Sequence, residues 1–357
     1  MTKSSDRVRR APSAATLAVA LLVALFVVGA CGGGASTGAA PTSTGAATAA
    51  GLATPPATPV EIRLGYGTAA EENLWLMMAK PDLTPNQGKW YSLKATQFRA
   101  SDERLAAFEA GQLDAGTMPA ATALFAADRG VPLKLVASVV RESIDPKWFR
   151  TTFLGLADSG IASVKDLKGK TIGLPGFKTA TEAWTRAAAT AAGLDPSKDL
   201  KLVVIGFPAM GEALRSKKID VGAFPQPFYA IEKARGGVVE VYNSRTGANF
   251  EEDNLTLAFT PDFVTKNTGA VRAFLADFAA TTKWYLANQK DGRQALIDKK
   301  FTATSPEIYL GLVDYFREPT AKISLDGLQK HHDALLAAGW IAKKVDLAKL
   351  VDNSLLP

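Results

Sequence analysis

The chain has 357 residues, 47% hydrophobic and 21% charged, with a formal net charge of +6, an ordinary globular composition with length for two domains behind a leader. Its single cysteine leaves no disulfide, no cysteine nucleophile and no thiolate metal site for the folded part. No Lys/Arg run with interleaved aromatics is present to track a phosphate backbone, which argues against nucleic acid as a partner.

Lys3, Arg7, Arg9 and Arg10 precede an uncharged apolar run from Ala14 to Ala30, the layout of a secretory signal over residues 1–30. These cations with Asp6 carry +3 of the net charge, so a mature chain is near +3, a mild fit to an anionic ligand. The run ends in Val28-Gly29-Ala30-Cys31, which resembles the lipobox of bacterial lipoproteins. That resemblance implies a lipid on Cys31 and an extracytoplasmic protein anchored to the cell membrane. About 17 apolar residues also approach a short spanning helix, so an uncleaved anchor is the alternative. Residues 32–59 carry no charge and are almost wholly Gly, Ala, Ser, Thr and Pro, too little apolar surface to fold. With Cys31 they read as a flexible tether over 31–59, reaching on the order of 30 Å.

From residue 60 the pattern predicts a strand over Val60–Tyr66, a helix over Ala70–Ala79, a strand over Ser92–Phe98, a helix over Asp102–Ala110 closed by Gly111, and a strand over Leu133–Val139. Such alternation implies an α/β fold with a mostly parallel sheet flanked by helices. Phe108–Ser138 lies on Leu214–Ser244 without gaps. In that register Leu113-Asp114-Ala115-Gly116-Thr117-Met118-Pro119 meets Ile219-Asp220-Val221-Gly222-Ala223-Phe224-Pro225, and Arg129-Gly130 meets Arg235-Gly236. At this period the repeat is a domain duplication. Two lobes follow, the first discontinuous over 60–154 and 257–357, the second over 155–256. Phe149–Leu156 and Leu255–Thr260 are the expected hinge strands between them. Helical spacing recurs at Val271–Asn288, Pro306–Tyr315 and Leu325–Ala338, a segment expected to pack back onto lobe one.

Open α/β sheets bind ligands at the carboxyl ends of their strands, beside helix N-termini. That rule selects the loops Gly65–Trp75, Gly116–Ala120, Gly176–Thr181 and Phe224–Tyr229. The expected ligand-binding residues are Tyr66, Glu71, Asn73 and Trp75 from the first, Thr117 and Met118 from the second, Phe177, Lys178, Thr179 and Thr181 from the third, and Phe224 and Gln226 from the fourth. A free helix N-terminus after Gly176 suits a sulfonate, carboxylate or phosphate, with Lys178 adding charge; the alternative is a capping box of Thr179 and Glu182. Glu71 and Glu72 either complement a helix dipole or, if one faces the cleft, call for an amine on the ligand. Asp114 and Asp220, at equivalent repeat positions, read as turn-forming residues rather than catalytic ones. His331 and His332, the only histidines, are adjacent on a helix and diverge by about 100°, so they are expected on the surface and not as metal ligands. No cofactor, metal or catalytic residue is expected.

Ser163-Val164-Lys165-Asp166-Leu167-Lys168-Gly169-Lys170-Thr171-Ile172-Gly173, then Pro175-Gly176, Ile219-Asp220-Val221-Gly222 and Leu350-Val351-Asp352-Asn353-Ser354, resemble the nitrate, sulfonate and taurine family of periplasmic binding proteins. The resemblance implies a two-lobed type II periplasmic-binding-protein fold and a monomer that closes on a small anionic or zwitterionic solute. It also implies an ABC permease and ATPase as partners. An aromatic carboxylate or pyrimidine precursor is the alternative ligand, and an enzyme on the same fold the alternative class.

Overall fold

The computed structural model describes residues 54–357. The expected signal segment, Cys31 and most of the tether lie outside the described residues. Along the chain come β1 (Val60–Tyr66), α1 (Glu72–Ala79), β2 (Tyr91–Gln97), α2 (Ser101–Glu109), β3 (Ala115–Pro119), α3 (Ala120–Asp128) and β4 (Lys134–Glu142). A second run follows with β5 (Thr152–Leu156), β6 (Thr171–Leu174), α4 (Ala180–Ala191), β7 (Lys201–Val204), α5 (Phe207–Arg215), β8 (Val221–Phe224), α6 (Phe228–Arg235) and β9 (Val238–Asn243). The chain then returns through β10 (Glu252–Phe259) to α7 (Pro261–Lys266), α8 (Thr268–Ala287), α9 (Gln289–Asp298), α10 (Pro306–Leu310), α11 (Leu325–Ala337) and α12 (Leu347–Leu350).

The strands make two five-stranded sheets with one topology, β2-β1-β3-β10-β4 and β7-β6-β8-β5-β9. In each, four strands share a direction and the fourth in the order opposes them, β10 in the first and β5 in the second. The expected hinge strands are thus mostly these antiparallel strands, and residues 143–151 and 244–251 make the crossings between sheets. The duplication is visible atom by atom. Asp114 accepts from Arg63 N at 3.0 Å and Asp220 from Thr171 N at 2.7 Å, each carboxylate pinning the neighbouring strand beside its own.

Alternation of Ile62 and Leu64 with half-exposed neighbours gives β1 one buried face. Helices cover it: α8 turns Val271, Phe274, Leu275 and Phe278 inward among Ile62, Leu64, Val136 and Phe259, each contributing about 1.5–3 kcal/mol of burial. Gly111, at φ +69°, ends α2 as expected. β4 is an edge strand in hydrogen-bonding order, yet its outer edge is occupied by bridges from Phe316 to Arg141 and from Val351 to Leu135. Asp352 N donates to Leu135 O at 2.9 Å and Asn353 holds Ile323 through both amide atoms, so the Leu350–Ser354 motif fastens the C-terminus to the first sheet.

Two sequence expectations fail. The helix read over Pro306–Tyr315 stops at Leu310, because Asp314 is drawn into a buried network: its carboxylate meets Arg317, Arg293 at 3.2 Å and Tyr285 at 2.7 Å, while Arg317 also pairs with Glu72. His331 and His332 are buried, at 4% and 0% exposure. His331 sits 2.5 Å from Glu252, and His332 accepts from Val345 N at 3.1 Å; both lie on the face of α11 that is packed inward with Leu328 and Leu335. Among the described residues no helix is long and apolar enough to cross a membrane and no cluster of potential metal ligands occurs.

Candidate functional site

The carboxyl ends of the strands in both sheets face one cleft, with void space of about 620 Å³ counting the solvent at its mouth. Its walls are the loops after β1, β2 and β3 on one side and after β6, β7 and β8 on the other; its floor is Thr151, Asn254, Leu255 and Tyr315. Both crossings reach that floor through one buried carboxylate. Glu142 accepts from Thr151 Oγ1 at 2.6 Å, Ser244 Oγ at 2.6 Å and Asn254 Nδ2 at 3.2 Å, and Thr151 Oγ1 continues to Tyr315 OH at 3.0 Å. Burial pushes the Glu142 carboxyl up.

Arg104, in the first turns of α2, is the one cation held deep in the cleft wall, at 2% exposure. Three glycines make a trough for its stem. A β-carbon at Gly65 would lie 3.0 Å from Arg104 Cγ, at Gly67 3.0 Å from Nη1, and at Gly116 3.6 Å from Cδ. Its Nε donates to Thr117 O, its one side-chain hydrogen bond among the described residues. Beside it stands Glu71, 1% exposed, whose Oε1 accepts from Gly67 N at 3.0 Å and Thr117 Oγ1 at 2.8 Å. Glu71 Oε2 is buried without a partner. Burial pushes the Glu71 carboxyl up against the pull of Arg104, and burial lowers the Arg104 guanidinium against the pull of Glu71.

Opposite, α4 opens on the cleft with Thr179, Ala180 and Thr181 in its lining. The capping-box reading does not hold here. Thr179 Oγ1 donates to Gly176 O at 2.9 Å and meets Thr181 Oγ1, and Glu182 accepts from Lys178 N at 2.7 Å instead of Thr179 N. The N–H groups of Ala180 and Thr181 therefore have no acceptor among the described residues and give this end of a 12-residue helix the partial positive charge that suits an anion.

Of the twelve expected residues, the structure brings Glu71, Thr179 and Thr181 to the cleft. Trp75 is 1% exposed among Tyr285, Leu296 and Tyr309, and Asn73 bonds Val139 O and Thr282 Oγ1, because α1 packs that face on α8 and α9. Met118 and Phe224 alternate into the cores of their sheets, both 0% exposed. Thr117 is spent on Glu71 and Arg104. Tyr66 packs against two lobe-one clusters. Gln226 donates to Val313 O at 3.3 Å through its amide and to Tyr315 OH through its backbone. Phe177 is 48% exposed. Lys178, at φ 59°, sends Nζ away from the cleft to within 4.8 Å of the Phe125 ring and 4.9 Å of the Trp340 ring, a cation–π seat.

Arg104, Phe98, Ser101, Trp184, Phe207, Thr151, Asn254 and Tyr315 line the cleft and were not anticipated. Phe98–Ser101 follows β2 and precedes α2, so the strand-end rule applied to every strand reaches it. For Arg104 the signal was Gly65-Tyr66-Gly67 with Gly116, three missing side chains around one position.

Residues 95–291 match the family model described as NMT1/THI5 like. Similar solved structures include the periplasmic aliphatic sulphonate binding protein SsuA from Escherichia coli, at 20% identity and TM-score 0.65 over 83% of this chain and 92% of that one. The alkanesulfonate-binding protein SsuA from Xanthomonas axonopodis, bound to MOPS, aligns at 19% identity and TM-score 0.69 over 83% and 99%. The periplasmic nitrate-binding protein NrtA from Synechocystis aligns at 12% identity and TM-score 0.67 over 85% and 88%. These likenesses show a shared fold, the two-lobed periplasmic-binding-protein architecture expected from the sequence. No curated protein matches.

Proposed function

This chain belongs to the NMT1/THI5-like family, and from that premise we propose that it is the solute-binding component of an ABC importer, holding a small organic anion in the cleft between its two sheets. The observation that carries the reading is the pairing of Arg104, with unengaged Nη donors, and the open N-terminus of α4 across one cleft. Each offers N–H donors and positive potential to an oxyanion such as a sulfonate, a carboxylate or nitrate. Phe98, Trp184 and Phe207 supply apolar wall for a carbon skeleton, and their rings favour an aromatic carboxylate as the second ligand reading.

Binding without turnover is part of the proposal, with Glu71 and Arg104 both buried in the cleft wall and both hydrogen-bonded to Thr117. The fold neighbours named above are binding proteins. Closure of the lobes on the ligand would pivot at the Glu142 knot, because both crossings are tied there. The Cys31 lipid anchor, the tether, the monomeric state and the permease and ATPase partners complete the proposal.

A thermal-shift series with alkanesulfonates, nitrate, aliphatic and aromatic carboxylates tests it. A ligand at 100 times its Kd adds about 2.7 kcal/mol of stability, a shift of several degrees at most for a chain of this size. Absence of any anion-dependent shift across the series defeats the reading.

A further inference from the structure

One side chain separates the cleft from a second, larger void. Between α4 and α11 lies a groove of about 1720 Å³ counting the solvent at its open side, against about 620 Å³ for the cleft measured the same way. Small residues make the room: Ala187 and Ala191 of α4, Gly247 and Ala248 of the crossing, Ala334 of α11 and Ala338 at its end. Trp184 belongs to both linings. It stands one turn beyond Ala180 on the same face of α4, and helical side chains tilt back towards the N-terminus, which sets the ring above the open end of the helix. Its polar edge is tied down. Nε1 donates to Glu252 Oε1, which Arg245 also holds, while Glu252 Oε2 lies 2.5 Å from His331 Nδ1. The Arg245 guanidinium lies over the ring, 5.9 Å from its centre, and the residue is 2% exposed. A ring clamped in this way cannot swing aside without breaking a buried hydrogen bond to a charged group.

We propose that Trp184 is the end stop of the cleft: it limits how long a carbon skeleton the bound anion can carry, and it shuts the groove behind it off from the solute. A head group held by the N–H groups of Ala180 and Thr181 leaves about one helical turn, roughly 5.4 Å, before a skeleton running along α4 reaches the ring. Up to that length each methylene laid on apolar wall tightens binding roughly fourfold. A longer skeleton must push the indole off Glu252, which leaves that buried carboxylate short of a donor, or hold the two lobes apart. Without the indole the cleft and the groove become one void, because both are bounded by that side chain, and the alanines and glycine beyond it leave room for a tail.

This inference rests on the anion-binding reading above, and a chain-length series separates the two. The straight-chain sulfonates from ethanesulfonate to octanesulfonate, and the carboxylates from propionate to nonanoate, are titrated by calorimetry into the unaltered chain, Trp184→Ala and Trp184→Phe. In the unaltered chain affinity is expected to rise with length and then to fall by about tenfold or more at one step of a series. In Trp184→Ala the break should move to a longer member or vanish, the longest member binding about tenfold or more tighter than it binds the unaltered chain and the shortest binding as before. Trp184→Phe keeps a ring, is smaller and cannot donate to Glu252; it should move the break less, and it carries the comparison if the alanine variant fails to fold. If short members bind and no break appears, or the break stays at the same member in the variants, the stop is wrong while anion binding stands. A purely structural Trp184 would weaken every member alike, which also overturns the proposal. If no member of either series binds the unaltered chain, the anion reading falls and the stop with it.

Discussion

Replacing Arg104 by Met separates a ligand-binding role from a structural one, because the two predict different changes in stability and in affinity. The unliganded protein holds this guanidinium at 2% exposure with one hydrogen bond, to Thr117 O. Its desolvation is therefore poorly offset, and a methionine that fills the same glycine trough should change unfolding free energy by no more than about 1 kcal/mol in either direction. Ligand affinity should behave differently. Hydrogen bonds to a charged group contribute about 1.5–3 kcal/mol, so losing the Nη donors should raise Kd by roughly 10- to 150-fold. Urea denaturation without ligand and calorimetry with the anion giving the largest thermal shift provide the two numbers. A loss of several kcal/mol in the empty protein with unchanged affinity would show that Arg104 holds the wall together and does not meet the solute.

Lys178→Ala should leave anion affinity within about twofold, since an exposed cation is screened by salt and Nζ rests on Phe125 and Trp340; the same calorimetry checks it. Gly247→Ala should destabilise the fold by more than about 2 kcal/mol: φ is +84° and a β-carbon would lie 2.6 Å from Ala187 O in the α4 backbone, adding left-handed strain to overpacking, read as a lower urea midpoint. For Glu252, burial pushes the carboxyl up, but His331 and Arg245 overturn that and hold it at about 2, below the ordinary 4.5. A depressed folded value means this carboxylate's stabilisation is complete above pH 4.5 and drains away as the pH falls towards 2. Glu252→Gln should flatten the acid limb of a pH–stability curve, and an unchanged limb would remove Glu252 from acid unfolding.

The architecture was legible because it is written twice. Leu113–Pro119 and Ile219–Pro225 repeat a strand and its exit, and both copies build the same position in the two sheets. Side-chain placement was legible only where one local rule decided it. Thr179 and Thr181 reach the cleft because they open α4. Trp75, Met118 and Phe224 sit near strand or helix ends too, but the helix face or strand parity sends them inward, and parity cannot be read until register is known. Arg104 lies inside the helix expected over Asp102–Ala110, beside Asp102 and Glu103, where no local rule marks it as buried. Its burial depends on Gly65, Gly67 and Gly116, residues that are near it only after folding.

That trough is built from omissions. A β-carbon at Gly65 would press on Leu113 and the Arg104 stem, and one at Gly67, just beyond β1, on Glu71 Oε1 and Arg104 Nη1. The charge of the binding wall is thus written in positions that carry no side chain. Gly67 lies outside the paired strands, so a single substitution there retunes what the cleft accepts without touching a strand pairing.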